Sequence, residues 1–249
     1  MNTSARHGIL ERVRGATGAT APARIAEAYA ALPRDYPRQG TMTREACLER
    51  MIERLREYDA EVVETSPEQL LTAIGAQLEA SGKRVFVAPE GLPGEWLISG
   101  FDWKVDHGLT TAEIEAAEGV VTAAFCGIAD SGTIALHHSP DEGRRGLTLL
   151  PDWHLCILRA SQVVETLPEY FGRCPQPPAL ATYISGPSAT ADIEMTRIKG
   201  VHGPRFLHVI LVHDDCIFGA AIRRGLDSES ARLTKSNGLP TLPGTPDEI

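Results

Sequence analysis

From Thr43 to Tyr58 the apolar residues Leu48, Met51, Ile52, Leu55 and Tyr58 recur at three- and four-residue spacing with charged residues between them. That period predicts an amphipathic helix. Glu61-Val62-Val63-Glu64 reads as a short strand. In Ser66-Pro67-Glu68-Gln69 an N-cap, a proline at the first helical position and a capping-box glutamine open a second helix that ends at Gly82. Lys83 to Ala88, rich in Val and Phe, is the next strand. A β-α-β unit is thus in place by position 88, and a parallel sheet covered by helices becomes the expectation.

Further along, Gly119 to Leu136 holds two runs, Val120 to Phe125 and Thr133 to Leu136, separated by a polar turn with glycine, which predicts two tightly joined strands. Trp153 to Leu158 is almost wholly apolar and reads as a buried strand. Ser161 opens a predicted helix carrying Val163, Val164, Leu167 and Phe171. Pro175 to Pro178 interrupts the chain before Leu180 to Ile184, Ser188 to Lys199 reads as helical, and Phe206 to Val212 is the last strand. Residues 1–40 and 223–249 carry Pro, Gly, Ser and charge without a sustained apolar period. They predict a partly helical N-terminal extension and a mobile tail around a main domain at 41–222.

Composition narrows the function classes. The 249 residues are 43% hydrophobic, enough for a substantial core, and the formal charge is −9. With a pI near 5.4, the balance argues against nucleic acid and anionic membrane, both of which reward clustered Lys and Arg. No apolar run reaches the length of a membrane span, so a soluble, cytoplasmic chain is expected. The cysteines, Cys47, Cys126, Cys156, Cys174 and Cys216, show no CxxC spacing, and Cys126 and Cys156 lie in apolar runs that read as core. A reducing compartment and no metal bound by this chain follow as expectations.

Two stretches carry candidate chemistry. Asp130-Ser131-Gly132-Thr133, between two predicted strands, offers a carboxylate, two hydroxyls and a conformationally free backbone, which suit a small polar or anionic ligand and equally suit an ordinary turn. Gly186-Pro187-Ser188-Ala189-Thr190, ahead of the predicted helix, offers free N–H groups to an anion or simply caps that helix. Asp192 and Glu194 in its first turns satisfy the same dipole and would repel a phosphate placed beside them, so a cation, a hydroxy acid or a partner's Lys or Arg suits the segment as well as a phosphate does. His202, in Gly200-Val201-His202-Gly203-Pro204, is a proton donor to a ligand or a loop anchor. His137 and His138 would point to opposite faces of a continuing strand and so cannot share a metal, while His208 and His213 read as structural. Arg144 and Arg145 either sit over a carboxylate substrate or are solvated. Trp96, Trp103 and Trp153 read as core or interface residues.

Taken in order, Asp130 to Leu136, Ser185 to Glu194 and Gly200 to Pro204 resemble the LUD-domain family, specifically its lactate utilization protein C type. Leu149-Leu150-Pro151 and Ser161-Gln162-Val163-Val164 fit as well, so the resemblance covers roughly 45 to 215. Where the family usually has Glu and Thr, this chain has Asp130 and Ser131, keeping charge and hydroxyl but shortening one arm by a methylene. The resemblance implies a three-layer α/β/α fold with a mainly parallel sheet, like that of the sugar-phosphate isomerase and CoA-transferase superfamily. It also implies a component of cytoplasmic lactate-to-pyruvate oxidation that works beside separate iron-sulfur proteins and binds no cofactor alone. The competing readings are a free-standing enzyme acting on a small anionic substrate through Asp130 or Glu194, and an assembly module without a small-molecule site. If the strands ending near Asp130 and Ile184 are parallel neighbours, Asp130, Ser131 and Thr133 face Ser188, Thr190, Asp192 and Glu194 with His202 nearby.

Overall fold

A computed structural model describes residues 3–18, 22–190, 198–200 and 203–214. The chain divides into two units, Met1–Pro37 and Arg38–Ile249. The first contains helices α1 (Thr3–Thr17) and α2 (Pro22–Ala30). Its larger apolar residues, among them Ile9, Val13, Ile25 and Tyr29, are exposed. The stretch 223–249 lies outside the described residues.

In the second unit the amphipathic period from Thr43 produces α3 (Arg44–Glu57). Thr43 caps it by accepting a hydrogen bond from the Ala46 N–H at 3.3 Å, and Cys47, Leu48, Met51, Ile52 and Leu55 form its buried stripe. Strand β1 (Glu61–Thr65) follows. Ser66 has the extended backbone of an N-cap, but its side chain caps nothing. Pro67–Gln69 forms a 3-10 turn and α4 (Leu70–Ala80) begins only after it. The chain continues through β2 (Val85–Pro89), β3 (Asp102–Asp106), α5 (Thr111–Glu115) and β4 (Gly119–Ala123).

The middle of the chain departs from the sequence expectation. Gly119 to Leu136 holds three strands, because after β4 the chain turns at Ala124-Phe125 into β5 (Cys126–Ile128), which makes the hairpin with β6 (Thr133–Leu136). After β7 (Trp153–Arg159), Ser161 sits in a 3-10 turn and Val163–Val164 is the short strand β8, not a helix. Both valines are buried in a ladder, where β-branched side chains fit, and the helix start moves to Thr166. There Thr166 and Glu169 form a capping box for α6 (Leu167–Arg173). Strand β9 (Thr182–Ile184) comes next. The helix expected over Ser188–Lys199 is replaced at both ends by an antiparallel pair, β10 (Ala189–Thr190) and β11 (Ile198–Lys199). Strand β12 (Phe206–Val212) is last.

Six strands form one all-parallel sheet in the order β1-β12-β7-β4-β2-β3. It is flanked by helices, so the chain is an α/β protein, as the alternation predicts. On one face α4 and Trp96 bury Phe86, Val121, Leu155, Ile157 and Ile210. On the other, α3 covers Cys156, Leu158, Val209 and Leu211, and α5 covers Val87 and Val120. A second, four-stranded sheet, ordered β8-β5-β6-β9, packs Ala129, Ile134 and Leu136 against α3 from its other side. Tyr170 of α6 seals the outer face of that sheet on Cys126, Ile128, Ala135 and Val164. Burial raises the thiol pKa of Cys126 to about 11 and of Cys156 to about 12, which makes both the inert core residues expected.

Candidate functional site

Asp130 and Ser131 close a 3-10 turn at the tip of the β5–β6 hairpin, and Gly132 leaves it in the left-handed region at φ 59°. Only glycine fits there for a second reason. A Cβ would lie 2.6 Å from Arg54 Cβ and 2.9 Å from the Arg54 carbonyl carbon, so the turn rests directly on α3. Gly186, at φ 84°, makes the same approach one turn further on, where a Cβ would lie 2.5 Å from Tyr58 Cβ. Two glycines therefore press the two motif segments onto the last turns of one helix.

The segments meet through hydroxyls. Strand β9 runs antiparallel to β6, pairing Ile184 with Ile134. One position beyond, Thr133 Oγ1 lies 2.7 Å from Ser185 Oγ and 2.8 Å from Ser131 Oγ. Thr133 is buried at 8% exposure, whereas Asp130, Ser131 and Ser185 are exposed. The row thus has a fixed centre and two solvent-facing ends, each with hydrogen-bonding capacity to spare. Arg54, on whose Cβ the turn rests, bonds Glu57 through Nη1 at 2.6 Å and keeps a buried Nε without a hydrogen bond.

The convergence differs from the expected one in its partners. The strands that bring the segments together are antiparallel and belong to the smaller sheet, so Ser131 and Thr133 meet Ser185, a residue the sequence reading quoted but did not select. Ser188 pairs instead with the third motif, since its N–H donates to Pro204 O at 2.9 Å and its carbonyl accepts from Gly200 N–H at 2.8 Å. A Cβ on Gly203 would sit 3.4 Å from Ser188 Cβ. Thr190 enters β10, while Asp192, Glu194 and His202 lie outside the described residues.

The LUD domain pattern matches residues 48–212, which contain all three motif segments. The chain belongs to the LUD-domain family. It is 39% identical over 186 residues to the lactate utilization protein C of Deinococcus radiodurans, an alignment covering 73% of this chain and 86% of that protein. To the lactate utilization protein C of Bacillus subtilis it is 34% identical over 122 residues, which span 46% of this chain and only 50% of the relative. A crystal structure of a duf162 family protein from Deinococcus radiodurans superposes with a TM-score of 0.58 at 32% identity, covering 69% of this chain and 99% of that one.

In this LUD domain the crevice at the carboxyl ends of β2 and β4, where the connections leave in opposite directions and α/β sheets usually take ligands, is occupied by the protein's own loop. Pro140 O accepts from Gly91 N–H at 2.9 Å and Asp141 O from Ala123 N–H at 3.1 Å. Glu142, 2% exposed, gathers the loop by accepting from the N–H groups of His137 and Ser139. Burial pushes its pKa up against those bonds. His137 stacks on Phe125 at 3.6 Å, and its Nε2 lies 2.7 Å from the Tyr170 hydroxyl, itself 3.0 Å from that of Tyr183. His138, at φ 60°, bonds Gly143 O and Thr182 Oγ1, which bends the chain out of β6. Sequence reasoning missed this network because the bonds from His137 to Tyr170 and from His138 to Thr182 join residues 33 and 44 positions apart.

Other sequence candidates resolve into structural roles. Arg144 forms a two-pronged pair with Asp106 at 2.7 and 3.1 Å, holding the Asp106 carboxyl below its usual range, and Arg145 is exposed. His208 bonds Gln77 and His213 bonds Glu64. Trp96 and Trp153 are buried, and Trp103 is half-buried. Among the described residues no group of three His, Cys, Asp or Glu could hold a metal, and no helix is long and apolar enough to cross a membrane.

Proposed function

We propose that this chain is a component of a cytoplasmic system that oxidises L-lactate to pyruvate, acting beside separate iron-sulfur proteins rather than carrying the redox centre itself. The observation that carries this reading is the likeness to the Deinococcus radiodurans lactate utilization protein C, which runs along 86% of that protein. Within the chain, the Ser131–Thr133–Ser185 hydroxyl row with Asp130 beside it in sequence supports a site for a small hydroxy acid or its product. Such a ligand presents a hydroxyl and a carboxylate, and serine and threonine hydroxyls can donate to or accept from both. The chain's part is then to bind and orient, while electrons pass through iron-sulfur clusters on its partners. Expression in a bacterium deleted for its own homologue tests this: growth on L-lactate should return, and affinity purification from that host should bring down cysteine-rich iron-sulfur proteins. Failure to restore growth by a soluble, folded chain contradicts the assignment.

A further inference from the structure

The turn that fills the crevice at the carboxyl ends of β2 and β4 is built as a separate piece. Ser139 O accepts from Glu142 N–H at 3.0 Å and from Gly143 N–H at 2.8 Å, and Ser139 Oγ donates to Asp141 Oδ1 at 2.6 Å, so the turn holds its shape from within. Its neck is closed by His138 Nδ1, which donates to Gly143 O at 2.8 Å. Both neck residues have left-handed backbones, at φ 60° for His138 and 74° for Gly143, and a histidine in that region is strained. Outside the neck the chain is anchored, since His138 Nε2 bonds Thr182 Oγ1 at 2.9 Å and Arg144 grips Asp106. Between these anchors the turn meets the strand ends through Pro140 O on Gly91 N–H and Asp141 O on Ala123 N–H. Seating it also buries the Glu142 side chain, whose pKa rises because burial outweighs the N–H bonds it accepts from His137 and Ser139. A buried carboxylate works against the seated state.

We propose that this turn is a plug that swings aside on His138 and Gly143, opening a second ligand site, distinct from the hydroxyl row, in which the Gly91 and Ala123 N–H groups bind the oxygens of a small 2-oxo acid. The seated plug shows what the site takes. Each N–H already holds a carbonyl oxygen, and the two oxygens belong to consecutive residues, whose Cα atoms lie about 3.8 Å apart, so one small molecule with neighbouring oxygens can reach both. Paired backbone N–H groups bind a carbonyl or carboxyl oxygen without needing a cation, as in an oxyanion hole. The carboxylates nearby do not oppose such a ligand. Asp141 and Glu142 leave with the plug, Asp106 is paired with Arg144 at 2.7 Å, and Glu90 is solvent-exposed and faces His107 at 3.4 Å. While seated, the plug competes with the ligand for the same two donors, so the apparent affinity is the intrinsic one scaled by the open fraction.

The test is amide NMR on the isotope-labelled full chain titrated with pyruvate, which reads both donors directly. The Gly91 and Ala123 amide signals should shift together and saturably. Gly143→Ala should strengthen that binding about fivefold or more, because the added methyl strains the left-handed neck and, while the plug is seated, lies 2.6 Å from Leu147 Cδ1 and 3.0 Å from Pro89 Cγ. Gly82→Ala, at a similar φ of 67° with nothing within 4 Å of the new Cβ, should destabilise the fold and leave the binding unchanged. Without ligand, the Gly91 and Ala123 amide hydrogens should exchange with deuterium faster in Gly143→Ala than in wild type by a similar factor, and at the wild-type rate in Gly82→Ala. Pyruvate that leaves both signals in place in wild type and in Gly143→Ala, or an affinity that Gly143→Ala does not raise, overturns the inference. Shifts confined to Ser131, Thr133 and Ser185 overturn it too while leaving the hydroxyl-row reading intact, and growth on L-lactate judges that reading separately.

Discussion

Replacing Gly132 by alanine probes the contact on which the candidate site is built. Two costs are expected. The left-handed backbone at φ 59° costs a side-chain-bearing residue about 1–2 kcal/mol. The added methyl, 2.6 Å from Arg54 Cβ and 3.1 Å from Leu55 N, must push the turn off α3, an overpacking cost of about 1–3 kcal/mol. Gly82 supplies the control: its φ is 67°, close to that of Gly132, and nothing lies within 4 Å of a Cβ built there. Gly82→Ala therefore carries the backbone cost alone, and the change in unfolded-state entropy is common to both variants. Urea unfolding with an unchanged slope should place Gly132→Ala below Gly82→Ala by about 1–3 kcal/mol. Equal losses in the two variants would refute the claim that the Asp130–Thr133 turn is seated on α3.

Three further outcomes are expected. His154, 1% exposed and 2.8 Å from Thr122 Oγ1, has its pKa depressed by burial to about 4. The unfolded state takes up its proton first, so the His154 contribution is complete above about pH 6.5 and is lost as pH falls toward 4; wild type should lose about 3 kcal/mol relative to His154→Gln across that window, and parallel pH profiles would contradict it. Thr166→Ala removes the cap of α6 and should cost about 1 kcal/mol in urea unfolding, a loss that Thr166→Ser largely restores. Cys126 and Cys156, both at 0% exposure, should resist maleimide in the native protein and react fully in urea, while rapid native labelling of either would show that the core is open.

What the sequence made legible tracks how local the determinant is. The stripe of α3 and the apolar runs of β7 and β12 declare themselves because burial on one face imposes a period and burial on both faces removes it. Strand β3, Asp102–Asp106, escaped because an edge strand carries charge at alternate positions and buries little. Val163-Val164 fits a helical stripe, but Thr166 and Glu169, two and five residues beyond Val164, offer the better cap. The motif segments were visible as segments, but their pairing depends on β6 and β9 meeting antiparallel across some fifty residues, and no local pattern encodes that register. Ser185 was overlooked for the same reason, since its role exists only opposite Thr133. His137 was weighed solely as a metal ligand, whereas its neighbours are the hydroxyl of Tyr170 and the ring of Phe125.

The most direct measurement is growth on L-lactate, in the host lacking its own homologue, of Thr133→Val and Ser185→Ala compared with the unmodified chain. Thr133→Val keeps shape while removing the central hydroxyl of the row, and Ser185→Ala removes one solvent-facing end. Both variants should remain soluble with melting temperatures within a few degrees of wild type, as expected for the loss of about 1 kcal/mol of hydrogen bonding. Both variants should fail to support growth on lactate while supporting growth on glucose normally. Full complementation by both folded variants would contradict it and separate the hydroxyl row from lactate utilization.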